Sequence, residues 1–208
     1  ESVSRAYDQL RELIVRGQLA PGSRIVESDL ADRLGLSRTP IRSALHRLQQ
    51  EGYIASVDRA KERRLIVAPL TQSDGRELFW IVGQLEGLAS RAAAERPAAE
   101  RKRIVNALRA LNAELGAAGR AATPDPLRMF DLDNAFHRSV VEAGTGPRLQ
   151  ALHDAFKPQT ARYARLYLAR MFDEIATSVA EHEVIVGYIA AGDPLAAQRA
   201  MDTNWRNA

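Results

Sequence analysis

Residues 27–52, ESDLADRLGLSRTPIRSALHRLQQEG, leave the chain few folding choices. Leu30, Ala31 and Leu34 mark one side of a short helix that Ser28 is placed to cap. Gly35 is the residue type that leaves a helix through the left-handed conformation, and Leu36 follows as an apolar plug for the corner. Ser37 then caps a second helix, with Pro40 in its first turn, where no intrahelical amide is lost. Ile41, Ala44, Leu45 and Leu48 recur at helical spacing and define a core face. Arg38, Arg42, His46 and Gln49 define another face, with Thr39 and Ser43 beside them. A helix packed on one side and offering cations and hydroxyls on the other suits the groove of a duplex, as in a helix-turn-helix.

The flanks extend this reading. Val3, Tyr7, Leu10 and Ile14 trace a helical stripe that ends at Gly17, and the turn LAPG (19–22) leads to a short strand at Arg24 to Val26. Tyr53 to Val57 reads as one strand and Leu65 to Ala68 as its return, with DRAKERR (58–64) between them. Three helices and a basic-tipped hairpin make a winged helix. Arg59, Lys61, Arg63 and Arg64 would bring the tip to phosphates or a minor groove. Charge agrees: the net charge is +3, and the excess falls within residues 1–71, which hold 12 Lys+Arg against 9 Asp+Glu. That bias suits phosphate binding.

From Thr71 onward the pattern is helical throughout. Thr71 can cap a long helix bearing Leu78, Ile81, Val82, Leu85, Leu88, Ala89 and Ala92, which stops near Arg96-Pro97. Further helices are expected from about Ala98 to Leu115, Pro126 to Ala143, Pro147 to Met171 with a bend at Pro158, and Asp173 to Ala191. A last one begins at Pro194 under an Asp193 cap, and residues 116–125 form a loop. The fold class is therefore mainly α. A winged helix-turn-helix (1–70) is followed by an all-helical bundle of about six helices (71–208). With no cysteine and no apolar run of 18 residues, disulfide frameworks, thiolate chemistry and membrane-spanning helices are not expected. No signal peptide opens the chain, and the expected location is the cytoplasm.

Two strings in the bundle carry chemistry. Asp133 and His137 are four apart in FDLDNAFHRSVVEAG and share a helix face, and His182 precedes a strongly apolar helix. Two histidines and a carboxylate can hold a divalent metal. Spacing alone favours an ordinary helical ion pair and a core histidine.

Residues 7–70 resemble the DNA-binding domain of the GntR family of bacterial transcription regulators, on the strings LAPGSRI and LADRLGLSRTPIRSALHRLQQEGYI. The resemblance implies that Ser37, Arg38, Thr39 and Arg42 contact an operator, with His46 on the same helix and Lys61 and Arg63 on the wing. The family wing usually carries a glycine at its tip, and DRAKERR has none. Residues 72–206 resemble the FCD ligand-sensing domain of the FadR-type subfamily, on LEGLASRAAA, DLDNAFHRSVVEAG and EHEVIVGYIAAGDPLAAQRAM. Many such domains bind one metal with an Asp, a His four residues on, a later His and a final His. Asp133, His137 and His182 fit the first three positions, and Asn204 stands at the fourth. A divalent ion (Zn, Ni or Mn) is the implied cofactor. Val82 stands where metal-type members often carry an arginine, and Gly146 replaces an asparagine in AGTGPRL. Both changes remove polar groups for a carboxylate effector, leaving Arg162, Tyr163 and Arg165 as candidates.

The expectation is a homodimeric, non-enzymatic transcription regulator. It would bind operator DNA as a repressor and respond to a small organic acid. Two rivals are a metal-dependent hydrolase and an effector-free architectural DNA binder. The first lacks an accompanying nucleophile or general base. The second has no need of a large, charge-balanced helical domain.

Overall fold

The computed structural model describes residues 2–59, 62–165 and 171–207. The chain divides into two compact units, residues 1–75 with 158–163, and residues 76–157 with 164–208.

The first unit holds α1 (Ser2–Val15), α2 (Glu27–Leu34), α3 (Arg38–Gln50), β1 (Ile54–Arg59) and β2 (Glu62–Val67). Its core joins Ala6, Leu10 and Ile14 of α1 to Ile41, Ala44, Leu45 and Leu48 of α3, closed by Tyr53, Ile54 and Val67. Gly35 ends α2 at φ 63°, and the Leu36 amide donates back to the Ala31 carbonyl at 3.0 Å. A side chain in that backbone conformation would be strained, which is why glycine stands there. Ser28 does not cap α2. The residue before the helix is Val26, Ser28 falls inside the first turn, and its hydroxyl donates to Asp29. Ser37 stands at the N-cap of α3 as expected but makes no side-chain cap bond. The strands pair antiparallel with Ile54 opposite Val67, and Arg24 adds a single bridge to Ile66.

The second unit holds most of α4 (Gln72–Ala94), then α5 (Ala98–Gly119), α6 (Pro126–Gly144), the first part of α7 (Pro147–Ala164), α8 (Met171–Ala191) and α9 (Pro194–Asn207). Val82, Ala89 and Ala93 of α4 meet Val105 and Leu108 of α5, Phe136 and Val140 of α6, Ile185 and Ile189 of α8, and Met201 of α9. Asp193 caps α9 through the Ala196 amide at 3.0 Å. Two expectations need correction. The buried stripe of α4 excludes Leu88, which is exposed, and instead carries Glu86 and Ser90 in the core. The helix expected to stop near Leu115 continues to Gly119. A Cβ on Gly119 would lie 2.7 Å from Ile175 Cγ2, so two glycines persist in a helix where α8 packs closely. Pro158 lies inside α7, which continues through it.

Two glycines let α6 and α9 pack directly on α4. A Cβ on Gly144 would sit 2.1 Å from the Ala89 carbonyl oxygen, so α6 touches the α4 backbone directly. A Cβ on Gly83 would meet the Trp205 side chain at 2.9 Å, which lets α9 lie equally close to α4. No described helix is long and apolar enough to cross a membrane.

Candidate functional site

The outward face of α3 carries Ser37, Arg38, Thr39, Arg42, Ser43 and His46, all exposed. The helix presents them because Pro40, Ile41, Ala44, Leu45 and Leu48 bury its other side. Arg42 is not loose in water. Its Nε lies 3.1 and 3.2 Å from the two oxygens of Glu27, and its Nη2 donates to Oε2 at 2.8 Å. Gln49 turns away from this face and donates to the Ser56 hydroxyl of β1 at 2.7 Å. At the wing, the Arg63 backbone pairs with Asp58 in the β1–β2 register. The Arg63 side chain and all of Lys61 lie outside the described residues.

In the second unit, α6 and α8 bring Asp133, His137 and His182 together, each offering a ligand atom within 4.8 Å of the others. His137 Nε2 is 3.9 Å from Asp133 Oδ2, and His182 Nε2 is 3.6 Å from Asp133 Oδ1. His182 is fully buried, stacked on Phe136 with ring centroids 3.8 Å apart. Its Nδ1 faces Asn112 Oδ1 at 3.2 Å, while its Nε2 has no hydrogen-bond partner. The Asn112 amide is itself oriented by donating to the Val179 carbonyl at 3.0 Å. An acceptor oxygen at Nδ1 fixes the proton there and turns the lone pair of Nε2 toward Asp133. Burial first, and then the neighbouring His137, push the His182 pKa down to about 2, so the ring is neutral and able to ligate.

Behind His137 lies a second, wholly buried set. Glu86 on α4 accepts at Oε2 from His137 Nδ1 (2.5 Å) and Trp205 Nε1 (2.7 Å). Its Oε1 accepts from His153 Nε2 (2.9 Å) and faces Lys157 Nζ (3.5 Å). Burial alone would raise the Glu86 pKa. Electrostatic interaction with the neighbouring His137 and Lys157, with hydrogen bonds from His137 and His153, reverses that and holds it well below the carboxylate range. Lys157 also sits 4.2 Å over the Trp205 ring. Asn204 is buried, and its Nδ2 donates to Glu181 Oε2 at 2.8 Å, which leaves the amide oxygen as its available donor atom for a metal.

A family model for bacterial regulatory proteins of the gntR family matches residues 2–60, and one for the FCD domain matches residues 77–207. The chain belongs to the GntR family, with an FCD domain. It is 31% identical over 202 residues to a Streptomyces ambofaciens protein described as an uncharacterized HTH-type transcriptional regulator in an unstable DNA locus. That alignment covers 96% of this chain and 80% of the relative. It is 29% identical to the "Probable D-xylose utilization operon transcriptional repressor" of Paenarthrobacter nicotinovorans, covering 93% of this chain and 82% of that one. Among solved structures, E. coli McbR/YncC superposes with a TM-score of 0.69 at 18% identity, covering 100% of this chain and 94% of its own. At that identity the likeness speaks for the fold. The family and its relatives are DNA-binding transcriptional regulators and not enzymes.

Within this GntR regulator the residues expected to hold an effector fall into different surroundings. Arg162 and Tyr163 group with the first unit. Arg162 Nη2 donates to the Ala68 carbonyl at 2.6 Å, and burial lowers its pKa. The Tyr163 hydroxyl donates to Asp74 and accepts from the Thr71 amide at 3.3 Å. Burial first, and then the Asp74 bond, push the Tyr163 pKa up to about 12. Arg165 lies over the Phe130 ring, 5.8 Å from its centroid. Val82 is fully buried in the bundle core. Sequence reasoning missed Glu86, Asn112, Lys157 and Trp205, and it gave His153 no setting. A signal existed for Glu86, a lone carboxylate one turn after Val82 and three residues before Ala89 on an otherwise apolar stripe. Nothing in the local pattern marks His153 or Asn112.

Proposed function

We propose that this GntR regulator binds a pseudo-palindromic operator as a homodimer and is controlled by a small organic acid taken up by its FCD unit. Arg38 and Arg42 contact bases or phosphates, with Ser37, Thr39 and His46 beside them and Lys61 and Arg63 reaching from the wing. One divalent metal, zinc, nickel or manganese, is held by Asp133, His137 and His182, with the Asn204 oxygen as a fourth donor. A bound divalent ion supplies a Lewis-acid centre for an oxygen donor such as a carboxylate. Repression relieved by the effector is the mode, in keeping with the repressor description of the P. nicotinovorans relative. The effector acts by binding one arrangement of the chain better than another, since only that differential affinity moves an equilibrium. A cytoplasmic location follows from the role.

The observation that carries the metal reading is the His182 ring. Its Nε2 is buried with no hydrogen-bond partner, 3.6 Å from Asp133 Oδ1, while Asn112 occupies the other nitrogen. An unpaired buried polar atom costs about 1–3 kcal/mol, and a metal bond removes that cost. The residues present therefore fit the ion. The test is metal content by inductively coupled plasma mass spectrometry on tag-free protein purified without chelator, beside His137→Ala. About one metal per chain, lost in the variant, is the expected result. Equal and negligible metal in both removes the ion from the reading.

A further inference from the structure

We propose that Glu86 sets the metal affinity of the FCD unit, one carboxylate oxygen orienting the ligand His137 and the other held by the opposing cation Lys157. This rests on the metal reading above.

Glu86 is fully buried on α4, and its oxygens divide between two sides. Oε2 meets His137 Nδ1 at 2.5 Å. An ionised carboxylate only accepts, so His137 donates from Nδ1 and presents the lone pair of Nε2, the nitrogen that faces Asp133. Carboxylate contact at the far nitrogen is how proteins fix a ligating histidine and raise its basicity. Oε1 meets His153 and Lys157 of α7 at 2.9 and 3.5 Å. The Lys157 ammonium therefore withdraws negative potential from the same carboxylate that supports His137, and as a like charge it repels an incoming divalent ion. Trp205 closes the set, its indole N–H on Oε2 and its ring face under the ammonium.

The two charges act with opposite signs, and that separates them from core filling. Glu86→Gln keeps the volume and one acceptor oxygen but removes the charge, and weakens metal binding. Lys157→Met keeps an unbranched apolar stem over Trp205 and removes the repelling charge, and tightens binding. A purely structural pair would weaken binding in both variants or in neither.

The experiment measures Zn²⁺ affinity of the full chain by competition with a chromophoric chelator. It compares wild type, Glu86→Gln and Lys157→Met, with His137→Ala as ligand-removal control and circular dichroism melting to establish folding. Glu86→Gln is expected to bind about 10–100-fold more weakly. Lys157→Met is expected to bind several-fold more tightly. As a second readout, the Trp205 indole ¹H–¹⁵N resonance, identified with Trp205→Phe, shifts on Zn²⁺ addition in wild type and stays still in Glu86→Gln. Unchanged affinity in Glu86→Gln, or weaker binding in Lys157→Met, overturns the proposal. A wild type that binds no Zn²⁺ overturns the metal reading itself, before any variant is compared. Should Glu86→Gln not fold, the sign of the Lys157→Met change and the wild-type Trp205 shift decide the matter.

Discussion

The outward face of α3 and the buried set around Glu86 are built from similar charged and polar groups, yet they obey different rules. Arg42 meets Glu27 in water, its side chain 72% exposed. Such pairs are worth little and exchange partners readily, which suits the DNA contact proposed for Arg42. Glu86 meets His137, His153, Lys157 and Trp205 with no exposure at all, where removing one partner strands the others. The comparison teaches that the first surface is specified by composition on a face, and the second by the mutual positions of α4, α6, α7 and α9.

Four measurements test that contrast. Removing the ring on which His182 stacks, Phe136→Ala, should cost about 3–5 kcal/mol of unfolding free energy in urea melts, as for other fully buried aromatics. A loss below about 1 kcal/mol would mean that the buried centre tolerates rearrangement as the surface does. Next comes acid. His182 has a folded pKa near 2, while an unfolded imidazole titrates near 6.5. The unfolded chain therefore takes up the proton first, and stability should fall as pH drops below about 6.5, continuing down toward 2. At about 1.36 kcal/mol per unit, chelator-treated protein should lose about 3 kcal/mol of this contribution by pH 4. His182→Gln should flatten that slope, and an unaltered slope would contradict the desolvated ring. On the surface side, Arg38→Ala should weaken operator binding by about 1–3 kcal/mol in fluorescence anisotropy while leaving the melting temperature unmoved. Loss of stability instead would erase the contrast from the other direction. Smallest is Arg109→Ala, which breaks a 3.0 Å pair with Glu183 that is about half exposed on both sides. The melting curve should shift by no more than ~0.5 kcal/mol.

The winged helix was readable because its information is local. Gly35, Pro40 and the Ile41–Leu48 periodicity each constrain their own few residues, and the structure keeps them where the pattern put them. The six helices of the bundle were readable for the same reason, from proline and glycine punctuation and apolar period. Asp133 and His137 share a turn, so their juxtaposition was legible, while His182 was noticed only as a histidine at an apolar helix and was matched to their site through the resemblance. Glu86, Asn112, His153, Lys157 and Trp205 come from α4, α5, α7 and α9, and no periodicity states which faces of separate helices meet. Leu88 shows the same limit in reverse. It has the right spacing for the core, but α4 turns its neighbours Glu86 and Ser90 inward instead.

The Gly144 contact with the Ala89 carbonyl has a consequence for how sequences of this kind can drift. Because even a methyl group there would lie 2.1 Å from a main-chain oxygen, no change of rotamer elsewhere relieves it. In a saturation library of this chain, position 144 should accept glycine alone, although it lies seven residues beyond His137 and two turns past the chemistry. Tolerance would be mapped by helix-to-helix distance and not by nearness to any ligand. A survey of substitutions that scored only the residues around Asp133 would overlook one of the positions least free to vary.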